Sequence, residues 1–362
     1  MKSVARKKSV IYLMLLNLVI FTIVTTVLLN KDLSLKCNIT SKVQLNHGDS
    51  QTNLLDKSNE SFALKLTAVA PSPTEEETLS HRTYLTSRTP CTHRVFLLIM
   101  VLSGPANFDR RTVIRKTWAS DPSMKTRWKT VFLLGHAVGD SIQNEYLKAE
   151  EIMYRDVIRG SQNEHYRNLT LKTQMGLEWA SKYCDFEFLL KADDDVFVNP
   201  YKLLDYLAKP DTPKTNLYTG RCPQGGFPHR KGKYAVSWEE YNKNRFPPFC
   251  AGPAYLLSSD LAYKLVELFD INTKPLPLED VYIGTLMQEI GGVKAVTHPW
   301  FLLLSYGRCT YSSDIFAYHR ATVQCEEQLF NLAMKERVEY ELIQIRSVKT
   351  ARHNSTMNIT ST

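Results

Sequence analysis

The apolar positions of this chain fall into three regimes. From Val10 to Leu29 no charged residue occurs. About twenty residues at ~1.5 Å each span the ~30 Å hydrocarbon core of a bilayer. A cleaved signal peptide has a shorter apolar region and a small-residue cleavage site, whereas this run ends in Asn30-Lys31-Asp32, which favours an uncleaved anchor. Residues 30–90 then lack any sustained period and are rich in Asn, Ser and Thr, with Pro71, Pro73 and the run Glu75-Glu76-Glu77. Such a composition buries too little surface to order itself and reads as a flexible stem. From Cys91 the pattern changes. Val95–Leu102 is a continuous apolar run closed by Ser103-Gly104-Pro105, Val131–Gly135 is a second, and Phe186–Leu190 a third, each the signature of a strand buried on both faces. Helical spacing lies between them, over 110–118, 141–152 and 168–183. Buried strands alternating with helices predict an α/β body over 91–345, a mostly parallel sheet flanked by helices. Residues 346–362 turn polar and read as a fraying tail.

Charge and cysteines fix the orientation. Lys2, Arg6, Lys7 and Lys8 occupy the tail 1–9; a positive flank stays cytoplasmic, so the anchor at 10–29 places the body on the lumenal side. Sequons at Asn38, Asn59, Asn168, Asn354 and Asn358 are available for glycosylation in that compartment. Of seven cysteines, none forms a Cys-x-x-Cys pair, so a zinc site has little support. Six lie in the body and can form three disulfides in a pairing the sequence leaves open; Cys37 is left to bridge two chains or stay free. The formal net charge of +8 is spread over the chain without basic runs interleaved with aromatics, which argues against nucleic acid and suits an anionic nucleotide sugar or a membrane surface.

The chemistry concentrates at Lys191-Ala192-Asp193-Asp194-Asp195, where a buried strand runs into three carboxylates. Their repulsion and desolvation are offset most simply by a divalent cation, and hard oxygen ligands suit Mg²⁺ or Mn²⁺ and, through it, a diphosphate. A solvated acidic turn is the bland alternative. A second acidic pair, Glu279-Asp280, opens a helix-like run after Pro275–Leu278. A helix start alone explains carboxylates there, and the same place fixes a general base rigidly. Arg111 and Arg115 are four apart and share a helix face, as forks for phosphate oxygens or as a solvated basic face.

Five stretches then occur in series: Arg110–Trp118, Tyr166–Thr173, Lys191–Asp195, Phe246–Tyr255 with Cys250-Ala251-Gly252-Pro253, and Glu279–Gly284. Together they resemble the β-1,3-galactosyltransferase and β-1,3-N-acetylglucosaminyltransferase family, glycosyltransferase family 31, over about residues 91–325. The resemblance implies a GT-A-like fold and a Golgi type II membrane enzyme that moves galactose from UDP-galactose to the 3-hydroxyl of a GlcNAc- or GalNAc-type acceptor on a glycoprotein or glycolipid. It implies Mn²⁺ as cofactor, or Mg²⁺, with Asp195 as direct ligand and His319 as a second. Asp193 then faces the nucleoside, with Asp194, Lys191, Arg111 and Arg115 as further donor-binding candidates. Asp280 is the single base, since a metal-stabilised leaving group needs no acid. One displacement inverts the anomeric centre, turning an α-linked donor into a β-linked product. Trp238 and Tyr241, as aromatic faces for sugar C–H surfaces, and Glu279 are assigned to the acceptor; Tyr255 fits core packing as well, and Trp118 is structural. Two departures bear on substrate choice: Ser161-Gln162 replaces the family's Asp-Phe pair, and Ala251 and Ala254 stand where Ser and Gly are commoner. UDP-GlcNAc is the alternative donor. A tethered, metal-dependent carbohydrate-binding protein without turnover is the alternative of another class.

Overall fold

The computed structural model of the protein describes residues 85–119, 121, 127–269, 274–304 and 308–359. The segments expected as anchor (10–29) and, for the most part, as stem, with Cys37, Asn38 and Asn59, lie outside the described residues. Strands β1 (Val95–Leu102), β2 (Trp128–His136), β3 (Val157–Asn163), β4 (Phe186–Asp193), β6 (Tyr218–Gly220), β7 (Ala254–Ser258) and β8 (Ala295–Thr297) form one sheet in the order β3-β2-β1-β4-β7-β6-β8. Pairing is parallel from β3 through β4 and between β6 and β8, and antiparallel on both sides of β7. The sheet is therefore mixed, mostly parallel as expected, with β7 inserted against the grain. Helices α1 (Phe108–Lys116), α2 (Ser141–Tyr154), α3 (Leu169–Tyr183), α4 (Pro200–Leu207), α5 (Ser259–Glu267), α6 (Glu279–Ile290) and α7 (Val323–Ile359) surround it.

The central strands are apolar throughout because both faces are covered. Along β1, Leu97, Ile99 and Val101 enter one core cluster while Leu98, Met100 and Leu102 enter the other, the period of two that a pleat imposes. The helix starts carry their own signals: Asp140 accepts from the Gln143 N–H ahead of α2, and Asn199 from the Lys202 N–H ahead of α4, with Pro200 in the first turn.

Two boundaries move. The stem reaches the body earlier than residue 91: Leu85 bridges Gly160 on the edge strand β3, and the Thr86 and Ser87 N–H groups donate to Arg159 O. The tail expected to fray from 346 instead continues α7 to Ile359, so Asn354 and Asn358 fall within that helix. The six body cysteines pair as Cys91–Cys184, Cys222–Cys250 and Cys309–Cys325.

A second, smaller sheet in the order β5-β10-β9 joins β5 (Val196–Val198), β10 (Ala317–His319) and β9 (Phe301–Leu302). Its antiparallel register sets His319 opposite Val196, and the Ala321 N–H donates to Asp195 O at 2.9 Å. A histidine more than a hundred positions away in sequence is thereby laid beside the acidic run.

Candidate active site

Strand β4 ends at Asp193, and the turn Asp194-Asp195 leads into β5. Strand β7 pairs Ala192 with Ala254 and Lys191 with Tyr255, which carries Gly252 and Pro253 across the carboxyl end of β4. The first turn of α6 approaches the same place. These elements enclose a cavity of about 520 Å³ lined by Lys191, Asp193, Asp195, Gly252, Glu279, Asp280 and His319, with Tyr166, Lys233, Tyr234 and Arg320 around them. The position, outside the carboxyl ends of parallel strands, is where ligands of open α/β sheets collect.

The cavity floor is a buried polar network. Lys191 Nζ donates to Asp193 Oδ1 at 2.6 Å and to Gly252 O, and lies 3.7 Å from Glu279 Oε2. Burial opposes its charge, but Asp193 and Glu279 outweigh burial and hold its pKa above the ordinary value. Tyr255, fully buried, donates to Glu279 Oε1 at 2.6 Å. Burial pushes Glu279 up to about 7, against the pull of Lys191. Asp280 accepts from the Gly252 N–H at 3.0 Å and the Val281 N–H at 2.9 Å. Burial raises its pKa while these N–H groups oppose the rise. A carboxylate pinned on both oxygens, yet biased towards taking a proton, is well placed as a base. The Cys222–Cys250 disulfide anchors the segment that supplies Gly252.

On the opposite side, His319 Nε2 stands 3.6 Å from Asp195 Oδ2, and Nδ1 lies 3.1 Å from Leu303 O. A carbonyl on Nδ1 keeps the proton there and presents Nε2 to Asp195. Among the described residues no group of three or more His, Cys, Asp or Glu side chains is arranged to hold a metal. One carboxylate and one imidazole still fit Mn²⁺ or Mg²⁺ when phosphate oxygens complete the shell.

Several expected residues are elsewhere. Arg111 is fully buried, donating to Glu150 from Nε at 2.8 Å and Nη2 at 2.7 Å, and to the Gly104 and Pro105 carbonyls. Arg115 forks onto Asp156 with two 2.8 Å bonds, reaches Glu150 at 2.7 Å, and stacks on Tyr154. Neither lines the cavity, so the donor-binding role that the resemblance implied for them is corrected. Arg111 instead donates to Ser103 Oγ, which donates to Asp194 Oδ2 at 2.7 Å. Asn107 Nδ2 binds the same oxygen at 2.8 Å. Asp194 thus ties the turn to the end of β1 and does not line the cavity. Trp238, half-exposed, stacks under Arg230, and Tyr241 packs on Phe246 and donates to Arg245 O; neither lines this cavity. Glu279 does line it, but its oxygens are engaged by Tyr255 and Lys191, so it supports the floor. The Asn168 amide donates to Asn163 O at 2.9 Å, and Thr170 is buried with its hydroxyl on Leu276 O, so the fold argues against a glycan at Asn168.

Four charged or aromatic cavity residues, Tyr166, Lys233, Tyr234 and Arg320, are not among the site residues expected from the sequence. Lys233 lies over the Tyr166 and Tyr234 rings at 4.8 and 5.3 Å. Arg320 adopts φ 63° directly after His319, a strained backbone of the kind that clusters at sites. Tyr166 opens the Tyr166–Thr173 stretch and Arg320 follows His319, whereas no pattern in the sequence marks Lys233-Tyr234.

Residues 109–298 match the family model described as Galactosyltransferase. The chain belongs to that family. Among galactosyltransferase relatives, Beta-1,3-galactosyltransferase 1 of Mus musculus is 35% identical over 201 residues, 54% of this chain and 61% of its own length. Beta-1,3-galactosyltransferase 2 of Homo sapiens is 33% identical over 228 residues, 60% of this chain and 53% of its own. The chain thus spans little more than half the length of these relatives. Among solved structures, a mannosyltransferase from Pyrobaculum calidifontis in complex with GDP-Man and Mn²⁺ is 10% identical with a TM-score of 0.33, covering 58% of this chain and 56% of that one. That likeness is too remote to bear on function.

Proposed function

We propose that this galactosyltransferase-family protein transfers galactose from UDP-galactose to the 3-hydroxyl of a GlcNAc- or GalNAc-type acceptor, with inversion, making a β-1,3 linkage. In this reading the body has a GT-A-like fold, and Val10–Leu29 anchors it in the Golgi membrane with the body lumenal. The observation that carries the proposal is the set of charges of both signs left unpaired in one cavity. Among the described residues Asp195 meets the His319 ring and no lysine or arginine, Asp280 accepts from backbone N–H groups and shares the charge of Lys191 with Asp193 and Glu279, and Lys233 and Arg320 line the wall without a carboxylate partner. An anionic donor with its cation satisfies both sets.

Asp195 and His319 would hold Mn²⁺, which when bound neutralises charge developing on the departing diphosphate. Lys233 and Arg320 supply further positive charge near the phosphates. Asp280 accepts the proton of the attacking hydroxyl as its oxygen bonds to the anomeric carbon and the bond to the diphosphate breaks. Lys191 and Glu279 hold the floor on which Asp193 and Asp280 sit. The exposed rings of Tyr166 and Tyr234 offer apolar faces to a sugar or a nucleobase.

The test is transfer by the full-length chain in detergent with Mn²⁺, UDP-galactose or UDP-GlcNAc, and a panel of β-GlcNAc, GalNAc and galactose acceptors. Galactose transfer that EDTA abolishes supports the proposal. Transfer from UDP-GlcNAc alone replaces the donor and keeps the chemistry. No transfer from either donor by a folded chain that binds sugar and Mn²⁺ points to the carbohydrate-binding alternative.

A further inference from the structure

A second cavity, of about 430 Å³, shares no lining residue with the first. The two meet across strand β10. Consecutive residues of a strand face opposite sides: His319 lines the first cavity and Tyr318 the second. Leu303 joins them, since it lines the second cavity while its carbonyl accepts from His319 Nδ1.

Three features of the second cavity point to a guest. Tyr318 is 2% exposed, and its hydroxyl has no hydrogen-bond partner; a buried hydroxyl left so costs stability unless a ligand supplies the acceptor. Arg221, at the end of β6, lines the cavity and pairs with no carboxylate among the described residues. Beside them lie Pro299, Phe301 and Leu302, an apolar surface of the kind that sugar C–H faces cover. The volume suits one or two sugar rings.

We propose that this cavity is a second ligand site, for a carboxylated saccharide. The Arg221 fork pairs with the carboxylate, the Tyr318 hydroxyl donates to a ring or carboxylate oxygen, and the ring lies on Phe301 and Leu302. The carboxylate follows from Arg221 and Tyr318, while the choice of a saccharide rests on the transferase reading.

Saturation-transfer NMR on the full-length chain in detergent tests it, with methyl β-D-glucuronide, methyl β-D-glucoside and cyclohexanecarboxylate as probes. The glucuronide should bind about tenfold or more tighter than the other two, as one charge-assisted pair and one sugar face require. UDP with Mn²⁺ should leave it in place, and Arg221→Gln should weaken it about tenfold. Tyr318→Phe keeps the ring and removes the orphan hydroxyl; it should weaken the glucuronide while leaving the melting temperature unchanged or higher. Displacement by UDP and Mn²⁺, equal binding of the glucoside or the cyclohexanecarboxylate, indifference to Arg221→Gln, or no binding each overturns the proposal. UDP binding measured on the same samples separates that failure from a failure of the transferase reading, which alone would remove UDP binding.

Discussion

The α1–α2 arginine cluster and the cavity at the end of β4 are made of similar side chains and differ in how their charges close. In the first, Arg111 and Arg115 meet Glu150 and Asp156 at 2.7–2.8 Å, so each carboxylate has an arginine. Burial alone would raise the pKa of Glu150, yet the two arginines hold it below its ordinary value. In the second, Lys191 serves both Asp193 and Glu279, Asp195 faces an imidazole at 3.6 Å, and burial wins at Glu279 and Asp280. A closed charge cluster holds structure together. An open one is maintained against its own repulsion because something outside the protein completes it. That distinction separates structural from chemical charge in this molecule better than the motifs in which the residues occur.

Breaking the open cluster should change chemistry without unfolding. Asp280→Asn keeps the size of the side chain and one of the two bonds from Gly252 and Val281, which reach different oxygens, and removes the base, so transfer should fall by a factor of about 10²–10⁴ with UDP affinity held. Steady-state rates and UDP titration on one preparation check this; loss of both together would make Asp280 structural. Breaking the closed cluster should do the reverse. Glu150→Ala leaves the buried Arg111 guanidinium without a carboxylate, while Arg115 keeps Asp156, and should cost about 3–5 kcal/mol, read by chemical unfolding. A cost below about 1 kcal/mol would show the cluster to be dispensable.

Glu326 sharpens the comparison by pH. It is buried, accepts from Trp118 Nε1 at 2.6 Å, and burial pushes its pKa up to about 8 from the ordinary 4.5. Between those values the folded state keeps a proton that the unfolded state has released, so stability falls as pH rises from 4.5 towards 8. Glu326→Gln retains an acceptor for Trp118 and removes this dependence. Unfolding free energies at pH 5 and pH 8 should therefore diverge less in the variant, and an unchanged divergence contradicts the assignment. The smallest effect is expected at Trp238, which touches neither cluster: Trp238→Ala should leave transfer within about twofold, as for a surface substitution.

Strands β1, β2 and β4 were legible because burial on both faces leaves only apolar residues. Strand β3, reading Val-Ile-Arg-Gly-Ser-Gln-Asn at the sheet edge, was not, since its exposed face carries polar residues. Strand β7 begins at the end of a motif and runs on past it, and α7 carried no helix prediction, its polar end reading as fraying; Arg337 and Glu341, paired at 2.8 Å four apart, show the support a polar helix draws from its own surface. Asp195, His319 and Asp280 do share one cavity. The sequence supplied them as separate motifs and held no distance between them. Arg111 and Arg115 were misplaced for a related reason. Spacing of four puts two residues on one face but does not say whether that face meets solvent, a ligand or, as here, Glu150 and Asp156 from another helix and its following turn.

The most direct test of an open charge cluster completed from outside is UDP titration of the full-length chain by calorimetry, with Mn²⁺ and with EDTA, in the parent and in Asp195→Asn. Binding should be at least about tenfold tighter with Mn²⁺ in the parent, and that advantage should disappear in the variant. UDP binding equally well in EDTA, or a Mn²⁺ advantage untouched by Asp195→Asn, would contradict it.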